Sequence, residues 1–263
     1  MLVYLTDFTT AEVLLEIELL SCKPRWGVSG NSLMVGSYHN GDEHEHHVVA
    51  ETIGSGLWYG PEDSNEFRFD ENDLTLKSIW FPIPDKNMDL ENLVKLWTRQ
   101  EPLVGSFRLT SAESLESFTP EFADFRWFDP QGQMLVCITN NALLETESRT
   151  RLRIATDVEL MFNNNHLCGW ILFQPLKYAT YGWEDPHPLE FADSTLTLAT
   201  QEYLRIASEP FVDQLLDEDP EVLKALQNIN QKLNKGSSIG YQRKVLSNSI
   251  ERLIENFYDE MAA

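Results

Sequence analysis

Apolar and polar residues alternate along much of this chain, and the period of that alternation predicts its elements. Over residues 13–20, Leu15, Ile17 and Leu19 alternate with Glu16 and Glu18, the two-residue period of a half-buried strand. Val13, Ile17 and Leu20 also fall at helical spacing, so a helix is the rival reading there. Residues 32–38 and 46–52 read as further strands. Residues 66–70 and 74–81 read as a hairpin: an apolar strand, a turn rich in Asn and Asp that tolerates positive φ, and a β-branched and aromatic return strand stopped by Pro82. Residues 158–162 and 167–173 have the same form. A three- and four-residue period appears over 89–99 (Leu90, Leu93, Val94, Trp97, with Asp89 as cap). It returns after Asp219-Pro220, a cap followed by a first-turn proline, in Val222, Leu223, Leu226, Ile229 and Leu233. Lys235-Gly236-Ser237 breaks that helix, and Leu246, Ile250, Leu253 and Phe257 continue in another over 241–258. These two helices predict an αα-hairpin that packs against the sheets, with a dimerisation arm as the alternative.

The pattern repeats. Trp26 and Trp127 are each followed by a turn-forming stretch and, seven residues on, by an apolar triplet (Leu33-Met34-Val35 and Met134-Leu135-Val136). The two hairpins align without gaps, pairing Phe69 with Phe162, Asn72 with Asn165, Leu74 with Leu167, Ile79 with Leu172, Trp80 with Phe173 and Pro82 with Pro175. A repeat marks which segments are scaffold. The predicted fold is α+β: two related, mainly antiparallel β-sheet units with packed helices (1–110 and 111–207), then a C-terminal αα-hairpin (208–263).

Charge narrows the class of partner. Asp and Glu outnumber Lys and Arg 42 to 20, and residues 221–263 hold five acids and six bases, so the excess lies before them. It peaks twice: residues 42–73 hold ten acids and one base, and residues 184–219 another ten and one. A basic surface for nucleic acid is absent, and so is an apolar stretch long enough for a membrane span. The start has no basic, cleavable leader pattern, and Cys22, Cys137 and Cys168 have no CxxC spacing, which reads as reduced thiols in a cytoplasmic protein.

Chemistry-bearing constellations are few. In His44-Glu45-His46-His47, a strand would put His44 and His46 on one face, and with Asp42 or Glu43 nearby that pair suits Zn²⁺; the pattern lacks a third and fourth ligand and reads as a polar, His-rich turn. His166 and Cys168 sit two apart beside the second hairpin turn, but the first copy has Asp73 and Thr75 there, so the turn reads as structural. Asp185-Pro186-His187-Pro188 reads as a stiff turn holding His187 outward. Gly54, Gly56 and Gly60 approach a dinucleotide fingerprint, with the third glycine one residue late; no cofactor and no catalytic residue is assigned. Aromatic residues beside acids remain: Trp58 and Tyr59 before Glu62, Asp63 and Glu66, and Tyr181 and Trp183 before Glu184 and Asp185, with Asp42, Glu43 and Glu45 upstream. An aromatic anchor ringed by carboxylates suits recognition of a Lys- and Arg-rich protein.

An acidic, Trp-rich α/β chain carrying Phe67-Arg68-Phe69-Asp70 and then Leu74-Thr-Leu-Lys-Ser-Ile-Trp-Phe-Pro-Ile-Pro resembles the immunity proteins that bacteria pair with polymorphic or contact-dependent toxins. The resemblance is one of style over residues 26–100 and 127–178, and transfers no functional residue. It implies a non-enzymatic binder that blocks a toxin domain, often a basic nuclease, by covering its active site. The alternatives are a metal-dependent hydrolase centred on His44 and His46, and a subunit of a larger assembly; a monomer is expected.

Overall fold

The computed structural model describes residues 1–55, 65–111, 118–145, 148–188, 194–235 and 240–258. The first half contains β1 (Leu2–Tyr4), β2 (Thr10–Leu15), β3 (Arg25–Gly27), β4 (Ser32–Val35), helix α1 (Gly41–His46), a π-helical turn (His47–Glu51), β5 (Thr52–Gly54), β6 (Glu66–Asp70), β7 (Leu76–Pro82), α2 (Glu91–Trp97) and β8 (Leu103–Ser111). The second contains β9 (Phe125–Phe128), β10 (Met134–Ile138), β11 (Arg149–Ala155), β12 (Val158–Asn163), β13 (His166–Phe173), β14 (Ala179–Thr180), α3 (Ser194–Ile206), α4 (Phe211–Leu216), α5 (Pro220–Leu233) and α6 (Tyr241–Tyr258). Helix and strand contribute about equally, in two mixed sheets with packed helices, an α+β fold.

The repeat is visible in the topology. The smaller sheet runs β14-β3-β4-β7-β6-β5, and the larger runs β1-β2-β8-β11-β12-β13-β10-β9. Read from β3 and from β9, each therefore follows the same path of first, second, fifth, fourth and third strand. Both β6–β7 and β12–β13 carry a register shift at the same place, between Arg68 and Phe69 and between Met161 and Phe162. The register corrects two alignments. Trp26 faces Leu33, which faces Phe81, as Phe128 faces Leu135, which faces Leu172. Trp26 thus corresponds to Phe128 and not to Trp127, which lies on the opposite face. Phe69 pairs with Leu76 and Phe162 with Leu167, so the first turn is two residues longer and Ile79 corresponds to Trp170 rather than Leu172. The shorter turn takes its left-handed backbone on Asn164 and Asn165, residues suited to it; the longer one takes it on Leu74 and is closed by Asp70 Oδ1, which accepts from the amides of Asn72 and Asp73.

The three segments share one core. β1, β2 and β8 join the larger sheet beside β11, and β14 joins the smaller one beside β3, so the sheets cross the boundary drawn at residue 110. β1 also bridges β13 at Tyr4 and His166, closing six strands into a ring. The inner faces of the two sheets meet through Trp26 and Phe128, Phe81 and Trp170, and Phe67 and Phe107. Leu196 and Leu204 of α3, Leu226 and Ile229 of α5, and Leu246 and Ile250 of α6 bury their apolar stripes in the same cluster. Burial of each such side chain contributes roughly 1.5–3 kcal/mol. α5 and α6 form the expected hairpin: Asp219 Oδ1 accepts from the Glu221 amide as cap, and Tyr258 Oη reaches back to the Asp219 carbonyl at 2.9 Å. No helix among the described residues is long and apolar enough to cross a membrane.

Two predicted strands are corrected. The alternation after Leu15 is not a strand, because Glu16 turns left-handed (φ 61°) and ends β2, leaving Leu15 and Ile17 exposed. Residues 46–52 are the end of α1, the π turn and the start of β5. The cause is a variant capping box: Asn40 Oδ1 accepts from the Glu43 amide, while the Glu43 carboxylate accepts from the His39 amide and the Asn40 side chain.

Candidate binding face beneath and around α1

The helix sorts its residues by a 3.6-residue period. His44, His47 and Val48 turn inward, whereas Asp42, Glu43, Glu45 and His46 face solvent. The expected pairing of His44 with His46 on one face therefore does not occur. His44 Nε2 lies 2.9 Å from Glu66 Oε1, and its ring packs edge-on against Tyr38 and Trp80 at 4.6 and 4.8 Å between centroids. His46 stays outside, 3.5 Å from Glu51. Among the described residues no group of three or more His, Cys, Asp or Glu side chains could hold a metal ion.

Trp183 brings the second acidic stretch to the same place. Its ring stands against Trp80 (5.1 Å), His44 (5.7 Å) and Tyr38 (5.9 Å). Arg25, fully buried on β3, ties the parts together: Nη1 donates to the carbonyls of Tyr38 and Trp183, and Nη2 to that of Gly36 at 2.8 Å. Burial lowers the Arg25 pKa, with Tyr38, Asp185 and Glu43 acting in the opposite direction. A buried guanidinium thus sits within the field of the surface acids. Asp185 approaches His39, just before α1, at 4.0 Å. Glu184 accepts from Tyr241 Oη of α6, and burial followed by that bond raises the Tyr241 pKa.

Asp42, Glu43, Glu45, Glu184 and Asp185 are exposed around half-buried Trp183, and Tyr181 is exposed beside Tyr241. Glu66 is removed from the surface set, being 0% exposed beneath α1. The alternation Glu66-Phe67-Arg68-Phe69-Asp70 reads as a solvent face, but α1 covers that face. Trp58, Tyr59, Glu62 and Asp63 lie outside the described residues. Of the acids from 184 to 219, only Glu184 and Asp185 join this face by a described contact; Glu202 on α3 pairs with Lys232 instead.

Two features had no sequence signal. His47 links Ser78 Oγ (2.9 Å from Nε2) to Glu51 Oε2 (3.1 Å from Nδ1), the connectivity of a nucleophile, base and orienting acid. Burial lowers the His47 pKa, with Glu51 opposing. Ser78 is 0% exposed in the middle of β7, so its hydroxyl meets the ring and not solvent. The second is Glu159, at the position of Glu66 in the second unit, equally buried and held by Arg151 and Arg153.

The remaining candidates are structural. Cys168 donates to the Met161 carbonyl, and burial pushes its thiol up to about 12, so it holds its proton at neutral pH. His166 stacks on Tyr4 at 4.5 Å. His187 is exposed, as the turn predicts, and its ring stacks on Tyr241 at 4.0 Å, with its carbonyl accepting from Gln242. The chain matches no family model, no curated protein and no solved structure.

Proposed function

We propose that this is a non-enzymatic binding protein that neutralises a cationic protein partner, an immunity protein covering the active site of a nuclease-like toxin with carboxylates in the place of substrate phosphates. The observation that carries the reading is the meeting of Asp42, Glu43 and Glu45 with Glu184 and Asp185, some 140 positions apart in sequence, around the half-buried Trp183. Clustered carboxylates raise the encounter rate with a basic partner, and an aromatic centre supplies contact area that excludes water. α1 is built to present those acids, because its inward residues and its cap fix its orientation on β6 and β7.

The test is the affinity for a basic probe, an octalysine peptide, between roughly 50 and 500 mM salt. Attraction between opposite charges weakens at least tenfold over that range as the screening length shortens. An affinity indifferent to salt, or no binding at the low end, contradicts the proposal. The Ser78, His47 and Glu51 chain supports a second reading, a serine hydrolase. A fluorophosphonate separates the two: labelling of Ser78 supports the hydrolase, and an unlabelled Ser78 in the folded protein supports the binder.

A further inference from the structure

The duplicated fold holds one buried glutamate twice and completes it only once. Glu66 and Glu159 occupy matching positions on β6 and β12, both 0% exposed. Burying a carboxylate is costly unless its oxygens are partnered. In the second unit they are. Arg153 donates to Glu159 Oε1 from Nε (3.0 Å) and Nη2 (2.6 Å), and Arg151 Nη1 donates to Oε2.

The first unit lacks those arginines. Arg151 faces Met161 across the ladder, and the matching strand pair sets Gly54 opposite Arg68, so Gly54 stands where Arg151 does. Two residues on in the sequence comes Gly56, which lies outside the described residues and as a glycine carries no guanidinium. Gly54 adopts φ 130°, and a Cβ there would meet the Phe67 carbonyl oxygen at 2.3 Å, so this backbone excludes any side chain. Arg68, next but one to Glu66, turns its guanidinium onto the carbonyls of Val48, Thr52, Gly54 and Ser55. Glu66 Oε1 has His44, but Oε2, fully buried, has no hydrogen-bond partner among the described residues. Around them stand the rings of Tyr38, Trp80 and Trp183, of which the two tryptophans are only half-buried.

A carboxylate with one oxygen unmet beneath aromatic faces has the chemistry that recognises a planar cation able both to donate hydrogen bonds and to stack. We infer that Glu66 is the floor of an arginine-binding site: a guanidinium from the partner, entering beside Trp80 and Trp183, supplies to the first unit what Arg151 and Arg153 supply to the second. The inference rests on the cationic-partner reading and names the side chain that the partner inserts.

The test uses the full chain and methylguanidinium chloride, followed by tryptophan fluorescence against sodium chloride at equal ionic strength. A saturable response is expected, weakened about tenfold or more in Glu66→Gln, which keeps an acceptor for His44, and weaker for methylammonium, which lacks the planar fork. Trp183→Phe tests the wall without touching the carboxylate, and its affinity falls several-fold. A wild-type response no different from sodium chloride, or Glu66→Gln and Trp183→Phe both titrating like wild type, overturns the site. Octalysine in parallel separates the two levels. Salt-dependent octalysine binding without a methylguanidinium response removes the arginine site and leaves the acidic face, and the converse result removes the face and leaves the site.

Discussion

The outer faces of the two sheets carry the same glutamate under different conditions. Glu159 sits in a closed ion cluster: two arginines from the adjacent strand take both oxygens, and Arg151 further donates to the Trp97 carbonyl at the end of α2. Glu66 sits in an open one: a single histidine from a six-residue helix takes one oxygen, under tryptophans that solvent still reaches. A fold that repeats its strands has thus kept a buried carboxylate in both copies and fixed only one internally. The copy left open is also the copy ringed by surface acids. On the proposed reading, scaffold and binding face are separated between the copies.

The two clusters should differ most in stability. Glu159→Gln leaves the buried Arg151 without its counter-charge and is expected to cost about 3–5 kcal/mol. Glu66→Gln keeps a hydrogen bond to His44 and is expected to cost less than about 2 kcal/mol. Urea denaturation measures both, and equal losses would erase the distinction between closed and open clusters. A smaller effect isolates the cover. Asn40→Ala removes the cap of α1 and costs about 1 kcal/mol; hydrogen exchange should quicken in α1 and leave α2 unchanged, and quickening in both would mean that the faces are mechanically coupled.

The smallest effect is in pH. Burial holds the His47 pKa below its ordinary value; Glu51 and Glu66 oppose this and Arg68 reinforces it. The unfolded chain therefore binds the proton first as pH falls. Stability is at its full value above the unfolded pKa of about 6.5 and declines below it, until the lowered folded pKa is passed. Thermal unfolding from pH 7.5 to 5 should show this decline, and His47→Gln should flatten it. A decline unchanged in His47→Gln would place its origin elsewhere.

Local pattern made much of the scaffold legible. Both hairpins, α2 and the α5–α6 pair announce themselves by period and by turn or cap residues, and the repeat placed the hairpins in corresponding positions. The exact register was not legible, because a two-residue difference in turn length leaves Phe, Leu and Pro in apparent alignment. α1 was missed because it has no apolar stripe; its signal is the Asn40 and Glu43 capping box. α3 was missed because its buried face includes Thr197 and Thr200, the latter spending its hydroxyl on the Leu196 carbonyl. The pairing of β2 with β8 and of β8 with β11 joins distant segments that no local pattern encodes. For the face itself, the acids of α1 and of residues 184–185 were legible as composition. Their meeting was not, since it depends on Arg25 reaching both Tyr38 and Trp183.

On the proposed reading, the location of the acids, and not net charge, makes the α1 face bind cations. Two triple variants of equal charge test it by their affinity for octalysine at low salt: Asp42→Lys, Glu45→Lys and Asp185→Lys on the α1 face, against Asp213→Lys, Glu221→Lys and Glu255→Lys on α4, α5 and α6, all exposed positions. The first set should weaken binding by about tenfold or more and the second by less than about twofold, because steering at short screening lengths is local. Equal losses in the two sets would mean that net charge, and not the α1 face, governs the binding.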